Sequence, residues 1–158
     1  MENQQISGKF KEIQVIFMIT TLRFQTSKNI ELIDITKRLN SLVKHIKEGY
    51  VIIFTQHTTT ALWINEAEQG LINDIKRKLD VFASLHNYYE HDDFKKRKCP
   101  PNERRNGFSH LRTTLFQNSL AIPVKEGRLM LGRYQSVFFI ELDGPRKKRN
   151  IVTQIIKT

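Results

Sequence analysis

The sequence predicts an α+β fold: an antiparallel, two-layer, β-sandwich-like sheet with two helices, in a single domain spanning residues 1–158. Three observations lead to this prediction. Short apolar or alternating segments, which are typical of strands, outnumber the segments with helical periodicity. The last four strand segments follow one another across short turn sequences, which favours antiparallel pairing. The length fits one domain, and 39% hydrophobic residues are enough for an ordinary core.

The first third of the chain contains two strand segments and one helix. Residues 1–9 are polar, and we expect them to be frayed. Apolar residues alternate along Ile13–Ile19, which predicts a half-buried strand, and a short extended segment follows at Ile30–Ile33. Apolar residues then recur at helical spacing along Ile35–Ile46, with Asp34 as a candidate N-cap.

The middle of the chain predicts two more strands and a second helix. Tyr50–Phe54 is an apolar, β-branched segment, which is typical of a buried central strand. The Thr-rich stretch His57–Glu66 also favours a strand. Residues 67–83 return to helical periodicity, whereas residues 84–108 have no periodicity at all.

The last third predicts four short strands. Turn sequences separate some of them, at Lys125-Glu126-Gly127 and at Asp143-Gly144-Pro145. The four segments are Ser119–Val124, Leu129–Tyr134, Ser136–Leu142 and Ile151–Ile156.

The positive charge of the chain is local. The formal net charge is +10, and segments 95–105 and 146–149 carry +5 and +4 of it. Segment 95–105 also contains Cys-Pro-Pro and no hydrophobic pattern, so we expect a mobile surface loop. A nucleic-acid-binding module that uses both segments is an alternative, but neither segment interleaves the aromatic residues on which bases stack. Nucleic acid is therefore an unlikely partner.

Composition also constrains the location of the protein. No apolar segment approaches the roughly 18 residues of a membrane-spanning helix. The N-terminal segment lacks the apolar region of a secretory signal. The single cysteine, Cys99, excludes an internal disulfide framework and a cysteine-based zinc finger. We expect a soluble, cytoplasmic protein that has no membrane partner.

Three of the five histidines lie in unusual surroundings. His57 opens the Thr-rich segment, His91 lies among carboxylates, and His110 follows the aperiodic stretch. His45 lies beside the apolar face of the first helix, where we expect a surface or boundary residue, and nothing distinguishes His86 in its irregular stretch. Imidazole is a good ligand for Zn, Ni or Fe, so the first three are candidate ligands of a divalent metal ion. Their scattered spacing matches no fixed metal motif, which leaves a site without metal open.

Two carboxylates are candidate catalytic groups, Glu66 and Asp74. Asp74 also fits an exposed ion pair with Lys78 one helical turn later. If residues 57–66 form one regular strand, His57 and Glu66 are about 30 Å apart and point to opposite faces. Either the strand breaks, or two sites exist, or another subunit completes the site.

The motifs of the chain resemble those of the YjbQ-like family across residues 10–157. Six separated motifs agree in order and spacing. The sequence departs from the family pattern at Gln69-Gly70-Leu71, at Tyr134 and in the basic segment 95–105. The matching motifs are Gln56–Glu66 (QHTTTALWINE) with Asp74, Tyr89–Asp92 (YEHD), Ser109–Leu111 (SHL), Leu120–Val124 (LAIPV), Gly127–Gln135 (GRLMLGRYQ) and Asp143–Arg146 (DGPR).

The resemblance implies a small β-rich domain that assembles as a homotrimer and has a weak thiamine-phosphate-synthase activity. In that reaction, a pyrimidinyl pyrophosphate loses pyrophosphate and is captured by the nitrogen of a thiazole phosphate. Carried over to this sequence, the family's site residues are His57, Glu66, Asp74, His91 and His110.

Our leading hypothesis is a metal-assisted enzyme that acts on a small phosphorylated metabolite. The three histidines would bind a divalent ion (Zn, Mg or another) or phosphate. Glu66 and Asp74 would be acid/base or supporting groups, and Arg146, Thr58 and Gln135 would contact the bound substrate. A metabolite-binding protein without turnover is a further alternative.

Overall fold

The computed structural model describes residues 16–157 and contains two antiparallel sheets. The larger has five strands in the order β1-β8-β3-β5-β6, and the smaller has three in the order β2-β7-β4. The strands are β1 (Ile16–Thr26), β2 (Glu31–Asp34), β3 (Glu48–Thr55), β4 (Thr60–Asn65), β5 (Ser119–Lys125), β6 (Arg128–Leu129), β7 (Ser136–Glu141) and β8 (Arg146–Lys157). The helices are α1 (Thr36–Val43), α2 (Gln69–Phe82), α3 (Gly107–Thr113) and a 3₁₀ turn at Glu90–Asp92.

Strand β7 joins two hydrophobic cores, because both of its faces are buried. Val137 and Phe139 face the core between the two sheets, which α1 closes at one side. Phe138 and Ile140 face the second core, where the apolar face of α2 packs on the small sheet. A continuous apolar segment, rather than an alternating one, is what such a doubly covered strand requires.

The predicted fold class is confirmed, with two differences in detail. All strand pairs are antiparallel and form two layers, as predicted. The described residues contain three α-helices rather than two, because α3 is too short to show a helical period in the sequence. The last four strands also do not form successive hairpins: β7 joins the small sheet, whereas β5, β6 and β8 belong to the large one.

Several boundaries differ from those predicted. The predicted strand at Leu129–Tyr134 shrinks to Arg128–Leu129, because residues 132–135 form a turn closed by the Gly132 amide on Gln135. The last strand begins five residues earlier than predicted, at Arg146. Its basic start pairs with β1, with Phe24 opposite Arg149. The predicted alternation at Ile13 and Val15, like the frayed residues 1–9, lies outside the described residues.

The basic segment makes specific contacts with the rest of the fold. Arg104 donates hydrogen bonds to the carbonyl groups of residues 143–145. Within the segment, Arg97 forms an ion pair with Glu103, at 3.2 Å. The mobility of segment 95–105 stays a prediction, and Arg104 joins the segment to the turn after β7. Among residues 16–157, no helix is long and apolar enough to span a membrane.

Candidate functional site

An open cleft of about 750 Å³ lies where β3 ends, β4 begins and α3 leads into β5. His57 and His110 both line it, although they are 53 residues apart in the chain. The other lining residues are hydroxyl, amide or aromatic: Phe54, Thr55, Gln56, Thr58, Thr60, Thr113, Thr114, Phe116, Gln117, Asn118 and Ser119. The described lining therefore contains neither a carboxylate nor a lysine or arginine.

A backbone hydrogen bond fixes the ring of His57. The amide of Asn150 donates to His57 Nε2 at 2.9 Å. A ring nitrogen that accepts a hydrogen bond carries no proton, so the neutral ring carries its proton on Nδ1. His57 follows the end of β3, and the Thr60 amide donates to its carbonyl group as β4 begins. In this tautomer His57, which lines the cleft, carries its hydrogen-bond donor on Nδ1.

A buried ion pair lies behind His57. Arg149 donates from Nε and Nη2 to the two carboxylate oxygens of Glu141, at 2.6 and 2.7 Å. Glu141 is fully buried, and its remaining partners are the Thr26 hydroxyl and the backbone amides of Leu142 and Asp143. Arg149 also donates to Thr59 Oγ1 at 3.1 Å, so the pair holds the turn that carries His57.

The start of α3 positions His110. Asp92 Oδ1 accepts hydrogen bonds from the amides of Asn106 and Gly107, at 2.9 and 3.0 Å, which ties the 3₁₀ turn to the helix. A side chain at position 107 would place Cβ 2.6 Å from Cβ of Tyr89, so glycine permits this close approach. His91 lies on the 3₁₀ turn, and its ring centre is 4.5 Å from that of His110.

The turn after β7 carries a second charged cluster. The carboxylate of Asp143, which is 1% exposed, pairs with Arg146 and accepts from the side-chain amide of Asn106 at 3.0 Å. Arg104 approaches the same carboxylate, at 3.8 Å. Arg146, a predicted substrate contact, therefore lies on β8, the strand whose Asn150 amide donates to His57. The guanidinium group of Arg146 is directed to Asp143.

Both cleft histidines favour the neutral form. Burial lowers the pKa of His57, and the nearby positive charge of Arg149 lowers it further, against an opposing effect of Glu141. Burial and the neighbouring His91 lower the pKa of His110, against the opposing effect of Asp143. Near neutral pH the two rings therefore act as neutral hydrogen-bonding groups.

These two pKa values predict how stability depends on pH. Because the folded-state pKa values lie below that of a free histidine, about 6.5, the unfolded chain binds more protons below that pH. The stability that the two neutral histidines contribute is fully present above about pH 6.5, and it is lost as the pH falls through their folded-state pKa values. We expect the free energy of unfolding, measured with urea, to decrease from pH 7 to pH 5. The double variant His57→Asn, His110→Asn should show a smaller decrease, and an equal decrease would contradict the assignment.

The structure separates the predicted site residues into two groups. His57, Thr58, His91, His110 and Arg146 lie at one end of the sheets, where Thr60 pairs with Glu141. Glu66 and Gln135 lie at the opposite end of the small sheet, and Asp74 lies on α2.

Glu66, Asp74 and Gln135 do not line the cleft. Glu66 and Gln135 flank the register pair Asn65–Ser136 at the far end of β4, about 20 Å away along the strand. The strand is shorter than predicted, because a turn occupies residues 57–59, yet His57 and Glu66 still lie at its opposite ends. Asp74 is exposed on α2 and pairs with Arg77 rather than with Lys78.

The three histidines fit a resident metal ion poorly within one chain. Nε2 of His57 is occupied by the Asn150 amide. Across residues 16–157, no three or more His, Cys, Asp or Glu side chains are grouped closely enough to hold a metal ion. Of the ring nitrogens of these three histidines, Nε2 of His91 alone is buried without a protein partner. Metal binding at these histidines stays a prediction.

Several residues of the site were not predicted from the sequence. The cleft wall from Thr113 to Ser119 is a short, uncharged polar stretch, and that composition was its only signal. Arg149 belongs to the basic run 146–149, which has the pattern of a solvated surface, yet Arg149 is 7% exposed. Of the four basic residues at the start of β8, one is buried and two are exposed.

The fold and the cleft define a class of protein: a small α+β protein with two antiparallel sheets and a polar cleft that two histidines line. The family model described as UPF0047 protein YjbQ-like matches residues 20–158. The chain belongs to this family.

Relatives and solved structures agree with that assignment. A UPF0047 protein of Archaeoglobus fulgidus is 40% identical over 131 residues, which is 83% of this chain and 96% of that protein. UPF0047 protein YugU of Bacillus subtilis is 31% identical over 83% of this chain and 94% of its own length. The crystal structure of a YbjQ-like protein of unknown function from Sulfolobus solfataricus has a TM-score of 0.80 at 32% identity, covering 91% of this chain and 99% of that one.

Proposed function

We propose that the cleft binds a small phosphorylated metabolite and that the protein has a weak thiamine-phosphate-synthase activity. The observation that carries the proposal is the composition of the cleft: two neutral histidines, with hydroxyl and amide groups and without a carboxylate. Such a lining donates hydrogen bonds to phosphate oxygens and does not repel them. The family resemblance supplies the reaction.

In the proposed reaction, the C–O bond between the pyrimidinyl methylene and the pyrophosphate breaks. The thiazole nitrogen donates its lone pair to form the new C–N bond, and pyrophosphate leaves. Negative charge accumulates on the leaving oxygen, so a donor placed there lowers the barrier. The Nδ1–H of His57, His110 and the Thr58 hydroxyl are the proposed donors, and no step requires a metal held by the chain.

The test is the formation of thiamine phosphate by the full chain from the two substrates. We expect His57→Asn and His110→Asn to lower kcat/KM by about 10²–10³-fold each, which is typical for the loss of one donor to a developing negative charge. His45→Asn, at an exposed position outside the cleft, is the matched control and should leave the rate unchanged. Unchanged rates in both cleft variants would contradict the proposal, and pyrophosphate binding without product would support a binding protein instead.

Phosphate binding and metal binding by the histidines predict opposite dependences of affinity on pH. Affinity for pyrophosphate should rise as the pH falls below about 6.5, because protonated imidazole attracts an anion. Affinity for Zn²⁺ should fall over the same range, because a protonated imidazole cannot be a ligand. Calorimetric titration with each probe at pH 5.5 and 7.5 distinguishes them. Tighter Zn²⁺ binding at high pH, with pyrophosphate affinity independent of pH, would favour the metal hypothesis.

We also propose that the protein forms a homotrimer through the outer face of the large sheet. Tyr50, Ile52 and Phe54 of β3 alternate with buried residues and point away from the core. Their register partners Ala121 and Pro123 extend the apolar face onto β5. The centre of this face has no charged residue, which is typical of the core of a protein interface.

Phe54 connects this face to the cleft, because it also lines the cleft. A second copy seated on the sheet would therefore border the cleft and close one side of it. Light scattering at micromolar concentration should give about three times the 18.6 kDa of one chain, and a mass of one chain would contradict the trimer.

A further inference from the structure

A second polar pocket, of about 770 Å³, lies on the opposite side of α3 from the cleft. Phe108 lines this pocket whereas His110 lines the cleft, and two residues apart on a helix correspond to about 200° of rotation. The rest of its wall comes from residues 85–95 and from Arg105. Its volume lies within the range of small-molecule sites, roughly 300–1,000 Å³. Nothing in the proposed reaction uses it.

Aromatic rings form much of the wall: those of Tyr88, Tyr89, Phe94 and Phe108. Hydrogen bonds anchor two of these rings. The Tyr89 hydroxyl donates to the carbonyl group of Ser84 at 2.6 Å, and the Tyr88 hydroxyl donates to Asp93 at 3.3 Å. Tyr88 is 69% exposed, so its ring is accessible to a ligand. A flat aromatic ligand could stack on such rings.

Two cations and two carboxylates line this pocket. Lys95 and Arg105 line it, and neither forms an ion pair with a carboxylate of residues 16–157. The guanidinium group of Arg105 lies 5.8 Å from the centre of the Phe94 ring. The two carboxylates in the wall already have partners. Asp92 Oδ1 accepts from the amides that begin α3, and Asp93 pairs with Lys96 at 3.4 Å.

We propose that this pocket binds a nucleotide unit, an aromatic heterocycle that carries a phosphate. The ring would stack on Tyr88 and Phe94, and the phosphate would contact Lys95 and Arg105. Aromatic side chains stabilise a bound base by stacking, and the two cations supply charge-assisted contacts to phosphate. The pocket accommodates one such unit, so we assign a mononucleotide rather than a nucleic-acid strand.

This proposal gives the basic segment a role that its sequence does not indicate. Segment 95–105 carries +5 but contains no aromatic residue on which a base could stack. The fold places Lys95 and Arg105, from the two ends of this segment, beside the rings of Tyr88 and Phe94. The cations and the rings are thus brought together although they come from different stretches of the chain.

The test is calorimetric titration of the full chain with AMP at low salt, with Lys95→Gln, Arg105→Gln as the double variant. We expect saturable binding of one AMP per chain, which the double variant weakens at least tenfold and Tyr88→Ala weakens about fivefold or more. Lys98→Gln removes an exposed charge of the same segment from outside the pocket and should leave the affinity unchanged. His57→Asn should also leave it unchanged, because His57 lines the other cleft.

Further probes identify the source of the binding energy. Adenosine and inorganic phosphate should each bind at least tenfold more weakly than AMP. If affinity increases with the length of a single-stranded oligonucleotide, the pocket is part of a nucleic-acid-binding surface, and the assignment of a mononucleotide is wrong. No saturable AMP binding, or equal binding by the double variant, would overturn the proposal. Photocrosslinking of 8-azido-AMP to the peptide that contains Tyr88, in the unsubstituted folded chain, checks the location independently of any variant.

Discussion

Replacement of Arg149 by methionine should destabilise the protein by about 3–5 kcal/mol, because it leaves the carboxylate of Glu141 buried without its cation. Glu141 is fully buried, and Arg149 supplies both of its charge-assisted hydrogen bonds. Such a loss is a large fraction of the 5–15 kcal/mol that typically stabilises a domain. Urea unfolding monitored by circular dichroism measures it.

Two further variants separate the ion pair from simple packing. The double variant Arg149→Met, Glu141→Gln removes both charges and should recover part of the loss, so the two substitutions should be clearly non-additive. Arg133→Met removes an exposed arginine from a turn and should change stability by less than about 1 kcal/mol. A loss below about 1 kcal/mol in Arg149→Met itself would mean that the pair does not hold the fold together.

The same variant should also act on the cleft. Arg149 lowers the pKa of His57 and holds the turn at Thr59, so its removal should raise the pKa of His57 and loosen that turn. NMR titration of the His57 ring protons in folded protein measures the first effect. An unchanged titration would show that Arg149 does not set the protonation of His57.

Replacement of Ile52 by glutamate should dissociate the proposed trimer into single chains. Ile52 lies at the centre of the outer face of the large sheet, between the register partners Ala121 and Gln154. A carboxylate at that position would lose its hydration in the interface without gaining a partner, which costs several kcal/mol per subunit. Light scattering should show the mass falling to that of one chain. The affinity of the cleft for pyrophosphate should fall at least tenfold, because a neighbouring subunit no longer borders Phe54.

Val81→Glu is the matched control for that variant. Val81 is an apolar residue, 80% exposed on α2, and it lies outside the large sheet. The same change of charge there should leave both the mass and the pyrophosphate affinity unchanged. If the Ile52→Glu variant remains a trimer, the interface lies elsewhere. If the unsubstituted protein is a monomer, the trimer proposal is wrong.

The sequence by itself predicted the fold class, most secondary-structure elements and the family. Local patterns carry this information: the apolar stretch of β3 predicted a central strand, and the spacing from Leu71 to Phe82 predicted α2. The motifs also identified His57 and His110, which the structure brings to one cleft. In both cases the signal lies in residues close together in the chain.

The tertiary structure decided which residues meet. The pairing of β7 with β2 and β4, rather than with its neighbours in sequence, depends on long-range burial of both its faces, which no local pattern encodes. That pairing places Glu141 beside Arg149, and the pairing of β8 with β3 directs the Asn150 amide to His57. Burial and hydrogen bonding at a site depend on segments distant in sequence, so the proton on His57 and the role of Arg149 emerge only from the folded chain.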